Sequence, residues 1–328
     1  MKSEITVLGA GAWGTAVACL LAHNGHRVRL WCYEKEVCDS IAQRRENVHY
    51  LSGVVIPDTV VPLCHISDVL DGAQYVFEAV PVAFLRSVLE CARPFYHKGQ
   101  RWIILSKGIE QHSLKLPSTL IDDSMADTVQ KIVCAGPSFA HGIAQKALTA
   151  VVLAAKDETV AQEIQRLLSN DFFRVHYSAD VIGVQLASAL KNIVAIGMGI
   201  LDGAGCHENT KAYFLTQGLA DIATIVHMSG GKKETVYGLA GVGDVVLTSL
   251  SSSSRNMSIG RRLARGHTIT EIQQECAILP EGINTVQSVY QLMREKKLSC
   301  PVFAGIYDMI FQGKTVMDML YFLDASKS

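Results

Sequence analysis

The sequence predicts an α/β fold over residues 1–180 and an all-helical fold over residues 181–328. Three observations carry that division. A glycine-rich turn joins an apolar strand to a helix at the start of the chain. Short apolar runs then alternate with helical stretches as far as residue 177. Beyond that point no regular strand–helix alternation is seen, which places a boundary near residues 178–184.

The first element organises the rest. Residues 5–8 form a short apolar run that reads as a buried strand. Gly9, Gly11 and Gly14 follow as G-x-G-x-x-G, residues 15–22 read as a helix, Gly25 stops it, and residues 26–31 read as the next strand. In this order Gly9 permits the tight turn, Gly11 lets a pyrophosphate approach the backbone, and Gly14 lets the helix pack on the strand. The helix N-terminus then offers free N–H groups and partial positive charge to phosphates. The pattern points to a dinucleotide site. About 20 residues past the turn, a carboxylate would hold a ribose 2′-hydroxyl. Glu34 suits that role and Lys35 beside it suits a 2′-phosphate, so the sequence does not choose between NAD and NADP.

Further along, 36–45 reads as a polar helix, 60–67 and 74–80 as strands, and 83–92 as a helix. Pro81 cannot continue a central strand and so marks a strand's carboxyl end, where ligands bind in open parallel sheets. Residues 101–108 read as a strand running into Ser106, Lys107 and Gly108. Lys107 at that edge suits an anionic substrate or the cofactor, or is a plain surface lysine. Residues 131–135 form another strand, ending in the small residues and hydroxyl of Gly136-Pro-Ser-Phe-Ala140. A strand at 149–155, a helix at 158–168 and a strand at 172–177 complete the first half.

In the second half, residues 181–201 are apolar nearly all round, the pattern of a buried helix. Lys191 and Asn192 lie in its middle. A buried ammonium needs a partner or a task, and desolvation lowers its pKa toward acid–base work; the alternative is a lysine that snorkels to the surface. Residues 209–230 read as another helix. Three glycines, Gly238, Gly241 and Gly243, then lead to Asp244. A serine run at 251–254 leads into Arg255 and Asn256 near a helix start, a pairing suited to a phosphate dianion. Arg261, Arg262 and Arg265 read as a solvated basic face, and 324–328 as a disordered end.

Composition narrows the function classes. Hydrophobic residues make up 49% and charged residues 19% of 328, and the formal net charge is -1, so no global field favours nucleic acid or an anionic membrane. No N-terminal signal or membrane span is expected: 181–201, the longest apolar candidate, is interrupted by Gln185, Lys191 and Asn192. The nine cysteines show no C-x-x-C pair and no metal-ligand spacing, which fits buried free thiols in a reducing cytosol.

Together these stretches resemble the bacterial-type NAD(P)-dependent glycerol-3-phosphate dehydrogenases. The matching segments are Gly9-Ala-Gly-Ala-Trp-Gly-Thr-Ala16, Ser106-Lys-Gly108, Gly136-Pro-Ser-Phe-Ala140, Ala189-Leu-Lys-Asn-Ile-Val-Ala195, Gly238-Leu-Ala-Gly-Val-Gly-Asp244, Ser254-Arg-Asn256 and Glu281-Gly282. They are collinear and cover nearly the whole chain. The resemblance implies an N-terminal Rossmann-like dinucleotide-binding domain followed by an all-helical C-terminal substrate domain. It implies reversible hydride transfer between NAD(P)H and dihydroxyacetone phosphate, giving sn-glycerol 3-phosphate for glycerophospholipid synthesis, in a cytoplasmic enzyme for which a homodimer is allowed.

The resemblance also implies residue roles. Ala12 and Trp13 lie against the cofactor with Gly9, Gly11 and Gly14. Lys107, Gly136 and Ser138 touch substrate, Lys107 also being near the cofactor, and Ala140 contacts the cofactor. Lys191 gives or takes the proton, supported by Asn192 and Asp244. Ser254, Arg255 and Asn256 hold the substrate phosphate, with Arg255 also near the cofactor. Leu279 and Glu281 close on the nicotinamide side. No metal is implied. Tyr33 stands at the cofactor's ribose end, where members often carry a basic or imidazole side chain. Ser52, Gln217 and Pro280 are further departures from the common pattern.

Two rival readings use the same residues. A β-hydroxyacid dehydrogenase would share the glycine turn and the helix-borne lysine but would not need Ser254-Arg-Asn256. A non-catalytic dinucleotide-binding redox sensor would need neither Lys191 in an apolar helix nor Asp244 behind its glycines.

Overall fold

The computed structural model describes residues 5–125, 129–275 and 281–321. The chain separates into two compact units, one of Met1–Ser106 with Pro117–Val181, the other of Lys107–Leu116 with Ile182–Ser328. The long break lies at 181/182, and the short segment 107–116 groups with the helical unit.

The first unit holds strands β1 (Ile5–Leu8), β2 (Val28–Trp31), β3 (Val60–Leu63), β4 (Tyr75–Glu78), β5 (Arg101–Ile104), β6 (Gln130–Ala135), β7 (Thr149–Ala154) and β8 (Phe173–Ser178). Its helices are α1 (Ala12–His23), α2 (Lys35–Arg44), α3 (Ile66–Leu70), α4 (Val82–Ala92), α5 (Pro117–Ser124), α6 (Ala140–Ala144) and α7 (Glu158–Leu168). The strands form one sheet in the order β3-β2-β1-β4-β5-β6-β7-β8, parallel throughout except between β6 and β7. The chain leaves β1 toward β2 on one side and returns to β4 on the other, so the strand order reverses between β1 and β4. That reversal is where an open α/β sheet leaves a ligand crevice. β1 and β4 are buried along their whole length, as central strands covered on both faces should be. Val7, Leu21, Leu30, Phe77, Ile103 and Ile132 are among the core residues between sheet and helices.

Among the predicted strands β3, β4 and β5 stop early, β4 at Glu78 rather than 80. β3 ends at Leu63 rather than 67, because α3 begins at Ile66; Pro62 is tolerated since β3 is an edge. β5 ends at Ile104 rather than 108, where the chain leaves the sheet for the segment that groups with the other unit.

The second unit holds α8 (Val181–Gly203), α9 (Glu208–Met228), α10 (Asp244–Leu250), α11 (Arg255–Ala264), α12 (Ile269–Glu275), α13 (Glu281–Lys296), α14 (Pro301–Phe311) and α15 (Val316–Tyr321). Every residue of α8 from Gly183 to Leu201 is buried, and Phe214, Ile222, Val245, Ile259 and Val289 belong to the same core. By length and composition α8 would span a bilayer, but 89% of its most apolar window is buried in the protein. A helix apolar all round is thereby accounted for as a core helix. Gly199 of α8 and Gly260 of α11 have no room for a Cβ against the backbone facing them, so the two helices cross at close range. That crossing sets the start of α11 beside the middle of α8. The predicted disordered end at 324–328 lies outside the described residues.

Candidate active site

The glycine turn meets the steric demands of a phosphate loop. Gly9 has φ +109°, and a Cβ there would stand 2.8 Å from the Ala79 carbonyl oxygen beyond β4. A Cβ on Gly14 would collide with the Gly9 carbonyl oxygen and press on Ala79. A Cβ on Gly11 would enter open space, the room that an approaching pyrophosphate needs. Gly11 is the N-cap of α1 and supplies no side-chain cap, and the first turn carries no acidic residue. The helix end is therefore electropositive, with backbone donors suited to an anion. Ala12 and Trp13 open α1, and the Trp13 indole Nε1 is buried with no hydrogen-bond partner.

Three braces of this turn were not anticipated. Fully buried Asn47 donates from Nδ2 to the Ala10 carbonyl at 2.8 Å and to Thr15 Oγ1 at 2.9 Å. Glu78, fully buried at the end of β4, accepts from the Val80 N–H at 2.7 Å and from the Ser106 hydroxyl at 2.6 Å. It thus joins the carboxyl ends of β4 and β5. The Tyr50 hydroxyl donates to Glu34 Oε1 at 2.8 Å. Glu34 is the N-cap residue of α2, so that bond fixes the carboxylate just past β2. Lys35, the competing candidate, is exposed and pairs with Asp39 at 2.7 Å. Tyr33 is 79% exposed, edge-on to Trp31.

In the helical unit, three charged groups converge. Lys191 donates to Asp244 Oδ1 at 2.5 Å and to Thr248 Oγ1 at 2.8 Å. Lys107 donates to the other carboxylate oxygen, Oδ2, at 2.6 Å. Asp244 is 1% exposed and Lys191 6%, so this is a desolvated cluster. Burial pushes the Lys191 ammonium down to about 8; Asp244 opposes that shift and the neighbouring Lys107 charge adds to it. Burial alone would raise the Asp244 carboxyl, but Lys107 and Lys191 outweigh burial and hold it below the usual carboxylate range. A buried lysine brought down to about 8 beside a fixed anion is chemically suited to give and take a proton.

The side chain of Asn192, the other residue expected beside Lys191, meets α11. It accepts from Asn256 Nδ2 at 3.0 Å. Adjacent residues point about 100° apart around a helix, so one side chain reaches α10 and the other α11. Thr248, which the sequence reading missed, is a further partner of the Lys191 ammonium. Its signal was available: it lies four residues after Asp244, on the same face of α10.

The start of α11 is a second helix end suited to an anion. Ser254 is the N-cap and accepts from the Met257 N–H at 3.3 Å, Arg255 is exposed at the first position, and no acidic residue occupies the first turn. Asn256 is buried, and its Oδ1 has no hydrogen-bond partner. A Cβ on Gly282 would strike that same Asn256 amide, which explains a glycine after Glu281 at the start of α13. In the sheet unit, Gly136 has φ +147° and stands so close to Val151 that a side chain would crowd it. The Ser138 hydroxyl donates to the Gly136 carbonyl at 2.9 Å, and Ala140 opens α6. Leu279 lies outside the described residues.

Comparison with known proteins agrees with both halves. A profile for the NAD-dependent glycerol-3-phosphate dehydrogenase N-terminus matches residues 4–161, and one for the C-terminus of the same enzymes matches residues 180–321. A glycerol-3-phosphate dehydrogenase [NAD(P)+] of Bacillus cytotoxicus is 38% identical over 318 residues, 96% of this chain and 93% of its own. The crystal structure of glycerol-3-phosphate dehydrogenase from Coxiella burnetii superposes with a TM-score of 0.94 at 32% identity, covering 98% of both chains. D-mandelate dehydrogenase with NADH shares the fold at 13% identity and a TM-score of 0.63.

Proposed function

The chain belongs to the NAD-dependent glycerol-3-phosphate dehydrogenase family, and from that premise we propose how its own residues run the reaction. It is an NAD(P)-dependent oxidoreductase that interconverts dihydroxyacetone phosphate and sn-glycerol 3-phosphate. The observation that carries the proposed mechanism is the buried Lys191, bound to Asp244 and Thr248 and poised near pH 8.

The nicotinamide cofactor supplies the hydride when bound. The residues of the glycine turn fit its pyrophosphate, since Gly11 faces open space at an uncapped helix end. We assign Gly9, Gly11, Ala12, Trp13, Gly14, Tyr33 and Ala140 to cofactor binding, with Leu279 and Glu281 on the nicotinamide side. Reduction of the ketone places negative charge on the central oxygen. Lys191 neutralises that charge and donates its proton, and in the reverse direction the neutral amine takes the proton from the alcohol. Asp244 and Thr248 orient the Lys191 Nζ, and Lys107 adds a second cation beside substrate and cofactor. Ser254, Arg255 and Asn256 hold the phosphate at the start of α11, with Asn192 bracing Asn256. Gly136 and Ser138 complete the substrate contacts.

In this reading residues 1–180 are the dinucleotide-binding domain and 181–328 the substrate domain. We further place the enzyme in the cytoplasm, as a homodimer serving glycerophospholipid synthesis. NADH oxidation with dihydroxyacetone phosphate is the test. Turnover with that ketone and none with an unphosphorylated 2-keto or 3-keto acid is expected. Turnover of the unphosphorylated acid alone would favour the β-hydroxyacid dehydrogenase, and cofactor binding without any turnover would favour the sensor.

A further inference from the structure

The segment 47–51 touches both ends of the candidate dinucleotide site. Asn47, fully buried, holds the glycine turn through the Ala10 carbonyl at 2.8 Å and the Thr15 hydroxyl at 2.9 Å. Its Oδ1 turns back to accept from the Tyr50 N–H at 3.1 Å, and its carbonyl accepts from the Leu51 N–H at 2.9 Å. Leu51 is fully buried, so the segment is pinned at both ends. Tyr50 stands between those pins and packs against the core of the sheet unit. Its hydroxyl reaches Glu34 Oε1 at 2.8 Å. The place of that hydroxyl is therefore keyed to the turn that suits a pyrophosphate.

Glu34 depends on this bond. It is the N-cap residue of α2, yet its side chain makes no hydrogen bond to the first turn of the helix. A capping side chain ordinarily closes on an N–H group there. Here the half-buried carboxylate turns to Tyr50 instead, just past the carboxyl end of β2. One oxygen is engaged, and the other is left to accept from a ribose hydroxyl.

The start of α2 suits that hydroxyl better than a phosphate. It carries two carboxylates, Glu34 and Glu36, which offset the positive end of the helix. The first turn of α1, by contrast, carries none. Lys35, at the same end of α2, pairs with Asp39 at 2.7 Å, and Arg44 and Arg45 lie at the opposite end. A phosphate dianion set beside a carboxylate that cannot turn away is repelled.

We propose that Tyr50 determines the cofactor preference of this chain: by fixing Glu34 it makes the site take NADH ahead of NADPH. That preference presupposes the dinucleotide reading of the glycine turn. Tyr50 is a positioning residue, acting through Glu34 rather than on the nucleotide. Without its hydroxyl the Glu34 side chain regains its torsional freedom and swings into solvent. The repulsion of a 2′-phosphate then falls, and so does the readiness of the acceptor for a 2′-hydroxyl. Both changes move the preference toward NADPH.

Fluorescence titration with NADH and with NADPH measures this without any substrate. The wild type should bind NADH at least about tenfold more tightly than NADPH. Tyr50→Phe keeps the ring and should narrow that ratio about threefold or more. Glu34→Gln should narrow it at least as far. The double variant should match Glu34→Gln within about twofold, because the hydroxyl then has no carboxylate to hold. A merely structural tyrosine would weaken both nucleotides alike in Tyr50→Phe and leave the ratio fixed, which overturns the role. An equal further shift in the double variant sends the effect past Glu34 and overturns it as well. A wild type that prefers NADPH hands the site to Lys35 and does the same. Should Tyr50→Phe melt early, Tyr50→Met fills similar space without a hydroxyl and is read by the same ratio. Binding of both nucleotides with equal affinity by the wild type overturns the preference alone, whereas binding of neither overturns the dinucleotide reading and the preference with it.

Discussion

Lys191 donates to Asp244 at 2.5 Å from inside a helix buried on every side, and the other oxygen of that carboxylate holds Lys107 at 2.6 Å. Two ammonium groups thus share one anion. The surplus positive charge works with burial to bring Lys191 down to about 8. The sign of the expected pH dependence follows. Ketone reduction needs the protonated amine, so its kcat/KM should fall as pH rises through about 8. Alcohol oxidation needs the neutral amine, so its kcat/KM should rise through the same pH. Rate profiles in both directions between pH 6 and 10 check this, and two limbs of the same sign would remove Lys191 from proton transfer.

The glycines of the turn should separate folding from binding. Gly14→Ala drives a methyl into the Gly9 carbonyl and should cost about 1–3 kcal/mol of stability. Gly11→Ala meets no protein atom within 4 Å, so its melting temperature should match the wild type. Its NADH affinity should nonetheless fall about tenfold, because the methyl takes the space meant for the pyrophosphate. Thermal melting and NADH titration on both variants decide the matter. Normal affinity in Gly11→Ala would mean that the phosphates approach elsewhere.

Asp221 offers a test of stability that leaves the site alone. It is buried on α9, and its Oδ2 accepts from the Phe303 N–H at 3.1 Å, at the start of α14. Burial pushes its carboxyl up to about 7, and the backbone donors of Phe303 and Val302 oppose that only in part. A carboxyl raised on folding stabilises the fold most below the ordinary value near 4, and that contribution is lost as pH rises through about 7. The slope is at most about 1.4 kcal/mol per pH unit. Asp221→Asn should remove this decline between pH 5 and 8 in urea denaturation. Parallel curves for wild type and variant would show that Asp221 does not titrate in that range.

Most of the sheet was legible because each strand is a short apolar run. Residues 5–8 and the helix at 158–168 lie where the pattern puts them. Strand ends were less legible: apolar residues continue past Leu63 into α3, and composition does not mark where a ladder stops. Nor does it mark direction, so the antiparallel pairing of β6 with β7 had no signal. The burial of Lys191 could be read from its apolar surroundings. Asp244 was named as its support through the family resemblance and Thr248 not at all, since contacts across 53 and 57 residues depend on how α8 meets α10. Glu78 and Asn47 were missed for the same reason. Each reads as an ordinary polar residue until the fold buries it against the turn.

Arg255→Ala should weaken substrate binding more than it weakens NADH affinity. The residue is exposed at the first position of α11, on a helix end that carries no acidic side chain. Loss of one charge-assisted contact to a phosphate is worth about 1.5–3 kcal/mol, or roughly 10- to 150-fold in affinity. The apparent KM for dihydroxyacetone phosphate reads it. An unchanged value would make Arg255 a solvated surface residue.

The strongest expectation joins Lys191 to the hydroxyl that the sequence did not announce. Lys191→Ala should lower turnover by at least about 100-fold, since it removes both the proton donor and the cation at the developing alkoxide. Lys191→Arg should fail as well, because a guanidinium stays protonated and does not fit a site shaped for Nζ. These losses alone do not distinguish an acid from a structural cation. Thr248→Val does. Valine keeps the shape of a residue that is 3% exposed, and it deletes the oxygen 2.8 Å from Nζ. The ammonium then loses a hydrogen-bond acceptor while its burial is unchanged, so its pKa should drop further below about 8. Loss of a hydrogen bond to a charged group is worth about 1.5–3 kcal/mol, which corresponds to roughly one to two pH units. The limb for ketone reduction should therefore move to lower pH by about that amount, with the variant still folded and still binding NADH. A structural lysine would give lower rates at every pH with no movement of the limb. The wild-type midpoint persisting in Thr248→Val would break the link between this hydroxyl and the proton that Lys191 carries.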